Sequence, residues 1–153
     1  MTQSQKKETE KKHKHLEIAT FYIGDALCGI DILKIQEINK LTEFTWAPNA
    51  PEYVLGVMNL RGKIVTVIDI GKKLGLSPIQ KGKENRNIII DSRGECIGLL
   101  VDSVCDVVSA DENAIDQPPP NIGGLKGSYF EGVYKTDKNL IGILDVEEVF
   151  KDE

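Results

Sequence analysis

Three cysteines, two histidines and a plentiful set of carboxylates are the side chains with which this chain could do covalent or acid–base chemistry. A serine or cysteine nucleophile needs a base within hydrogen-bond reach, most often a histidine. Both histidines, His13 and His15, fall in the charged run QKKETEKKHKH, whose composition predicts a disordered basic tail over residues 1–15. A His-x-His pair in such a tail holds a metal weakly at best, so neither a metal site nor a cofactor is expected. Cys28, Cys96 and Cys105 form no CxxC pair, and in a cytoplasmic chain they read as reduced, mostly buried small hydrophobes. No P-loop, Rossmann glycine pattern, HExxH or nucleophile elbow occurs. The Asp and Glu residues show no paired arrangement. The expectation is a protein without catalytic residues, whose work is binding.

One charge pattern has binding potential. Arg61 and Gly62 separate two apolar runs, Val54 to Leu60 and Lys63 to Ile70, and read as a hairpin connection. Gly62 can take positive φ without penalty, as a three- or four-residue loop with a bulge requires. Arg61 is then either an ordinary exposed turn residue or a contact residue. Glu37 tilts the choice: if its strand lies beside the hairpin, an Arg–carboxylate pair would fix the guanidinium at the edge of a groove.

The elements that must position this pair are mostly strands. Phe21-Tyr22-Ile23, the turn Gly24-Asp25 and Leu27 to Ile30 suggest a hairpin. Ile30 to Ile38 fits helix or strand periodicity; its β-branched content favours a strand with a kink or bulge near Asp31 to Lys34. Trp46 to Pro51 reads as a surface connection, with Pro51 suited to start a helical turn. Asp69 is placed to cap a short helix ended by Gly75. Ile88 to Ile90, the turn Asp91 to Gly94 and Cys96 to Val101 predict another hairpin, which Val104 to Val108 extends. Ser109 to Glu112 fits a capping box. Gln117 to Gly127, with three prolines and three glycines, predicts a loop without regular structure. Phe130 to Lys135, Asn139 to Asp145 and a helical turn from Val146 to Phe150 close the chain.

The pattern occurs twice. Gly29, Ile35 and Ile38 match Gly98, Val104 and Val107 at an offset of 69 residues (98 − 29), and Gly56 and Asp69 match Gly132 and Asp145 at 76 (132 − 56). We read an internal duplication, with approximate repeats at 16–76 and 86–150. Each half offers about five short strands and little core of its own, so two small β-barrels sharing a hydrophobic seam are expected. The paired positions Gly29, Gly98, Gly56, Gly132, Asp69 and Asp145, together with Gly62, are assigned to turns, close packing and caps. Arg61 has no counterpart in the second copy and is free to serve a partner.

At 153 residues, 41% hydrophobic and 28% charged, the chain has the make-up of one soluble globular domain or two small lobes. A net charge of −5 argues against nucleic acid, no apolar run is long enough for membrane insertion, and no secretory pattern is present, which points to the cytoplasm.

Three ordered stretches carry a resemblance: Gly29-Ile-Asp-Ile-Leu-Lys-Ile-Gln-Glu-Ile38, Gly56-Val-Met-Asn-Leu-Arg-Gly-Lys-Ile-Val-Thr-Val-Ile-Asp-Ile70 and Gly98-Leu-Leu-Val-Asp-Ser-Val-Cys-Asp-Val-Val108. Over about Leu16 to Phe150 the chain resembles the chemotaxis coupling proteins of the CheW family. The resemblance implies an all-β fold with short helices, two intertwined SH3-like five-stranded β-barrel lobes in a single domain over 16–150, and no enzymatic activity. It implies an adaptor between the cytoplasmic signalling domain of chemoreceptors and the regulatory domain of the histidine kinase CheA, monomeric in solution and assembled into receptor arrays at the membrane. By position, Ile35, Glu37, Arg61, Val104 and Val107 would form the receptor-binding groove, suited to the apolar stripe of a helix. Thr66 departs from the pattern, because the family commonly carries proline there. A related adaptor serving another receptor–kinase pathway, and a small-molecule- or redox-sensing β-barrel using Cys28, Cys96 or Cys105, are the competing readings.

Overall fold

The computed structural model describes residues 14–41 and 43–151. Among these described residues twelve strands run in chain order: β1 (His15–Ile23), β2 (Ala26–Asp31), β3 (Ile35–Asn39), β4 (Val54–Leu60), β5 (Lys63–Asp69), β6 (Arg86–Ser92), β7 (Glu95–Val101), β8 (Ser103–Asp111), β9 (Asn121–Ile122), β10 (Leu125–Lys126), β11 (Phe130–Lys135) and β12 (Leu140–Leu144). Helix α1 (Ile70–Lys73) follows β5, and α2 (Val146–Val149) follows β12. The cap at Asp69 is made by its side chain accepting from Lys72 N at 3.1 Å and from Ile79 N at 3.0 Å. Asp145 accepts from Glu148 N at 3.1 Å, so both helices start on the same kind of cap.

Two five-stranded sheets, ordered β11-β12-β2-β1-β8 and β3-β6-β7-β5-β4, make up the body. Each draws strands from both halves of the chain. The hairpin β1–β2 sits between β12 and β8, while β6–β7 sits between β3 and β5. The exchange is made by two parallel pairings, β12 on β2 with Ile143 opposite Gly29, and β5 on β7 with Val67 opposite Gly98. A Cβ on Gly29 would overlap Ile18, and one on Gly98 would overlap the amide of Asn87, so both glycines lie where a side chain crosses over the backbone.

Among the described residues no continuous ladder closes either sheet into a barrel, and one bridge spans each seam. Thr45, beyond the end of β3, pairs with Val57 on β4 through hydrogen bonds of 2.7 and 2.8 Å, and Asp116, beyond β8, pairs with Val133 on β11 through two of 2.9 Å. At each bridge the neighbouring residue must be glycine. A Cβ on Gly56 would run into the Thr45 carbonyl, and one on Gly132 into the Asp116 carbonyl and Ile115.

The main core lies between the sheets. Phe21, Ile23 and Ile30 from the first meet Ile88, Ile90, Leu99 and Val101 from the second, and Ile70, Val146 and Val149 seal it from the helices. Each of these large apolar side chains contributes about 1.5–3 kcal/mol by leaving water. A smaller cluster joins Ile18 of β1, Ala110 of β8 and Ile143 of β12 within the first sheet.

Several local expectations need correction. A 3-10 turn at Ile32–Lys34, capped by Asp31, separates β2 from β3 where a kinked continuous strand was expected. Pro51 opens a single hydrogen-bonded turn, Val54 N donating to its carbonyl at 3.0 Å, and no longer helix follows. The cap before Glu112–Ala114 is Asp111, not Ser109, because β8 runs on through Ala110. Within Gln117 to Gly127, β9 and β10 form a small antiparallel pair whose Ile122 and Leu125 are buried in the main core. β1 begins at His15, inside the segment read as tail, while His13 lies outside the described residues. Thr66 has ladder partners on both sides, Val57 and Ile97, because β5 is an interior strand.

Since each sheet needs strands from both halves, residues 1–82 and 83–153 expressed separately are expected to show no cooperative unfolding, and their mixture to regain it. A cooperative thermal transition in either fragment alone would contradict the shared-strand arrangement.

Candidate functional site

The β4–β5 connection is a two-residue turn, with Leu60 paired directly to Lys63. Arg61 has φ of 52° and Gly62 of 84°, the type I′ geometry that matches strand twist. The longer bulged loop expected from sequence is therefore replaced by a tighter one, in which Arg61 itself is left-handed. Asparagine or glycine suits that first position; an arginine there costs about 1 kcal/mol. Asn59 supports the turn from below by accepting from Gly62 N at 2.9 Å.

This turn lies against the opposite edge of its own sheet. Arg61 Nη2 is 2.6 Å from Glu37 Oε1 on β3, with the arginine side chain 77% exposed and the glutamate 22%. The ion pair thus crosses the same seam as the Thr45–Val57 bridge. Glu37 is held from its other oxygen as well, Oε2 accepting from Asn39 Nδ2 at 2.6 Å. The Asn39 hydrogen bond holds the Glu37 carboxyl below the usual glutamate range; partial burial opposes this, and the Arg61 hydrogen bond and charge reinforce it.

The five candidate contact residues divide into two groups. Glu37 and Arg61 touch, and Ile35 precedes them on β3, half-buried against the main core. A register irregularity between Ile35 and Glu37 bends β3 at that point. Val104 and Val107 lie on β8, the edge of the other sheet. Val104 pairs with Phe21 and packs on the same core, whereas Val107 pairs with Ala19 and is 55% exposed.

Two features were missed in the sequence. One is Asn39, whose role depends on lying beside Glu37. The other is a shallow cavity of about 700 Å³ lined by Glu43, Phe44, Thr45, Val57, Met58, Asn59 and Ile64. Nearby Trp46 is 72% exposed and Ile64 71%, both unusual for such large apolar groups. A single tryptophan in a proline-containing connection was the available signal.

The cysteines are not uniformly buried. Cys28 is buried and its thiol is pushed up to about 12 by desolvation, Cys96 is half-buried 3.6 Å from Gln36 Oε1, and Cys105 is exposed. The Cys105 thiol is raised first by partial desolvation and then by Asp106. Raised thiols are poor nucleophiles, which weighs against the redox reading at those two positions. Cys105 lies on β8 at the register irregularity opposite Ala19 to Phe21, and its side chain is exposed.

The family model described as CheW-like domain matches residues 17–153. A probable chemotaxis protein CheW of Rhizobium etli is 34% identical over 137 residues, 89% of this chain and 88% of the relative. The chemotaxis protein CheW of Helicobacter pylori is 32% identical over 142 residues, 93% of this chain and 86% of the relative. The crystal structure of the scaffolding protein TtCheW from Thermoanaerobacter tengcongensis superposes with a TM-score of 0.81 at 37% identity, covering 90% of this chain and 88% of that one.

The lowered Glu37 carboxyl has a signed consequence. Its contribution to stability is fully present above the unfolded glutamate value, about 4.3, and is lost as pH falls through the lower folded value. The difference in Tm between the wild type and Glu37→Gln is therefore expected to hold at neutral pH and to close in acid. A difference that widens on acidification would contradict the assignment.

Proposed function

The chain belongs to the CheW family, and from that premise we propose that it is a non-enzymatic adaptor joining the cytoplasmic signalling domain of chemoreceptors to the regulatory domain of the histidine kinase CheA. Residues 16–150 act as one domain of two intertwined lobes. Among the described residues no helix is long and apolar enough to cross a membrane. The protein works in the cytoplasm and reaches the membrane through the receptors it binds.

The observation that carries this reading is the Arg61–Glu37 pair. A guanidinium has five N–H donors, and the pair leaves most of Arg61's facing outward from a fixed position. Ile35 beside it, with Val104 and Val107 on the other lobe, supplies apolar contacts for the stripe of a receptor helix. The polar pair sets the helix register, and the apolar residues supply burial.

An adaptor also needs a surface for its second partner. Phe44 and Ile64 line the open cavity, and Trp46, next in the chain to its lining residue Thr45, is exposed, as apolar groups at protein-docking surfaces commonly are. The kinase is assigned to this face.

Two substitutions separate the surfaces. Arg61→Glu is expected to weaken binding of a receptor cytoplasmic fragment at least ~10-fold, because it places two carboxylates together, while thermal unfolding stays cooperative. Ile64→Glu is expected to weaken kinase binding and spare the receptor fragment, with Trp46 fluorescence reporting the kinase titration. Failure of the wild type to bind either partner would overturn the adaptor reading.

A further inference from the structure

The two sheets place residues of matching repeat position at matching ladder positions, and one opposed pair is apolar in the first sheet and polar in the second. In the first sheet Ile18 on β1 faces Val108 on β8. In the second, the corresponding pair is Asn87 on β6 facing Asn39 on β3. Ile18 and Asn87 are both 0% exposed and lie over the equivalent glycines, Gly29 and Gly98. The fold accepts an apolar pair here, so packing does not require two amides.

The amides are also incompletely satisfied. Asn87 Nδ2 is 3.5 Å from Met58 Sδ, a weak acceptor, and the Oδ1 atoms of Asn87 and Asn39 are both shielded from solvent without a donor among the described residues. An orphaned buried acceptor is costly, and here two arise from directly opposed residues. A single water molecule carries two donors and can serve both oxygens. Met58 offers the path, since it touches Asn87 and also lines the open cavity.

We infer that Asn39 and Asn87, bridged by an internal water, are positioning residues for the Glu37–Arg61 docking pair. With its Oδ1 anchored inward, Asn39 presents Nδ2 to Glu37 Oε2 at 2.6 Å, and the carboxylate is turned so that Oε1 meets Arg61. The first lobe, which has Ile18 and Val108 at these positions, has no such pair to position. The direction in which the Glu37 carboxyl is displaced, with Asn39 the largest cause, agrees with this geometry. The inference deepens the docking reading and rests on it for the partner, but its effect on Glu37 is independent of any partner.

The test is Asn39→Val/Asn87→Ile, which installs the first lobe's apolar pair, with Asn39→Val alone as a second variant if the double variant does not unfold cooperatively. The side-chain carboxyl of Glu37 is titrated by carbon-detected NMR, and receptor-fragment and kinase affinities are measured in parallel. The expected result is an unchanged or raised Tm, a Glu37 carboxyl that moves up toward the ordinary glutamate value, and receptor-fragment binding weakened about 3–10-fold with kinase binding unchanged. In the wild type, water-to-amide cross-relaxation is expected at the side chains of Asn39 and Asn87. An unchanged Glu37 titration in both variants would overturn the inference and leave the adaptor reading standing. A shifted titration with no wild-type receptor binding would do the reverse.

Discussion

Parallel pairing of β5 with β7, and of β2 with β12, puts a hairpin from each half of the chain into the sheet of the other. The remaining architecture depends on this exchange. It brings Phe21 and Ile30 opposite Ile88 and Leu99, so the main core belongs to neither half alone. It also leaves β3 and β4 as the two edges of one sheet, and β8 and β11 as the edges of the other. An uncovered edge is a row of unpaired backbone groups that invites wrong pairing. Here each pair of edges is joined across its seam by one bridge, at Thr45–Val57 and Asp116–Val133, made possible by Gly56 and Gly132.

The ion pair of Arg61 with Glu37 sits on one of those seams and is poorly explained by stability. An arginine in the left-handed region is unfavourable, and a pair with so exposed a partner adds little. Strain kept at a surface turn is better understood as positioning. The tight I′ turn fixes where the Arg61 backbone stands, and the ion pair brings its guanidinium to Glu37 on β3.

The lobes share a plan but not their chemistry. Gly29 and Gly98, Gly56 and Gly132, and Asp69 and Asp145 perform the same backbone tasks twice. Arg61, Asn39 and Asn87 occur in one lobe only, with Ile18 and Val108 standing where the asparagines would be. Arg61 and Asn39 both contact Glu37, and Asn87 lies opposite Asn39. In a family of scaffolds, a doubled fold of this kind frees one copy of a site from constraints that the other copy already meets.

Much of this was legible in the residues. Turn pairs such as Gly24-Asp25 and Arg61-Gly62, the caps at Asp69 and Asp145, and the recurring glycines follow from local backbone preference, which needs no tertiary context. The pairing of Arg61 with Glu37 was a conditional reading, dependent on which strands became neighbours. Periodicity says which faces are buried but not against what, so the exchange of hairpins, the exposure of Cys105 and Ile64, and the small β9–β10 pair in a proline-rich segment were decided by the assembled fold. The same holds for Asn39 and Asn87, which lie far apart in sequence and become opposed only when β3 pairs with β6. By itself the sequence determined most of the strands, the positions of the main turns and the family. Only the tertiary structure decided which strands close each sheet, because that choice is set by burial shared between segments distant along the chain.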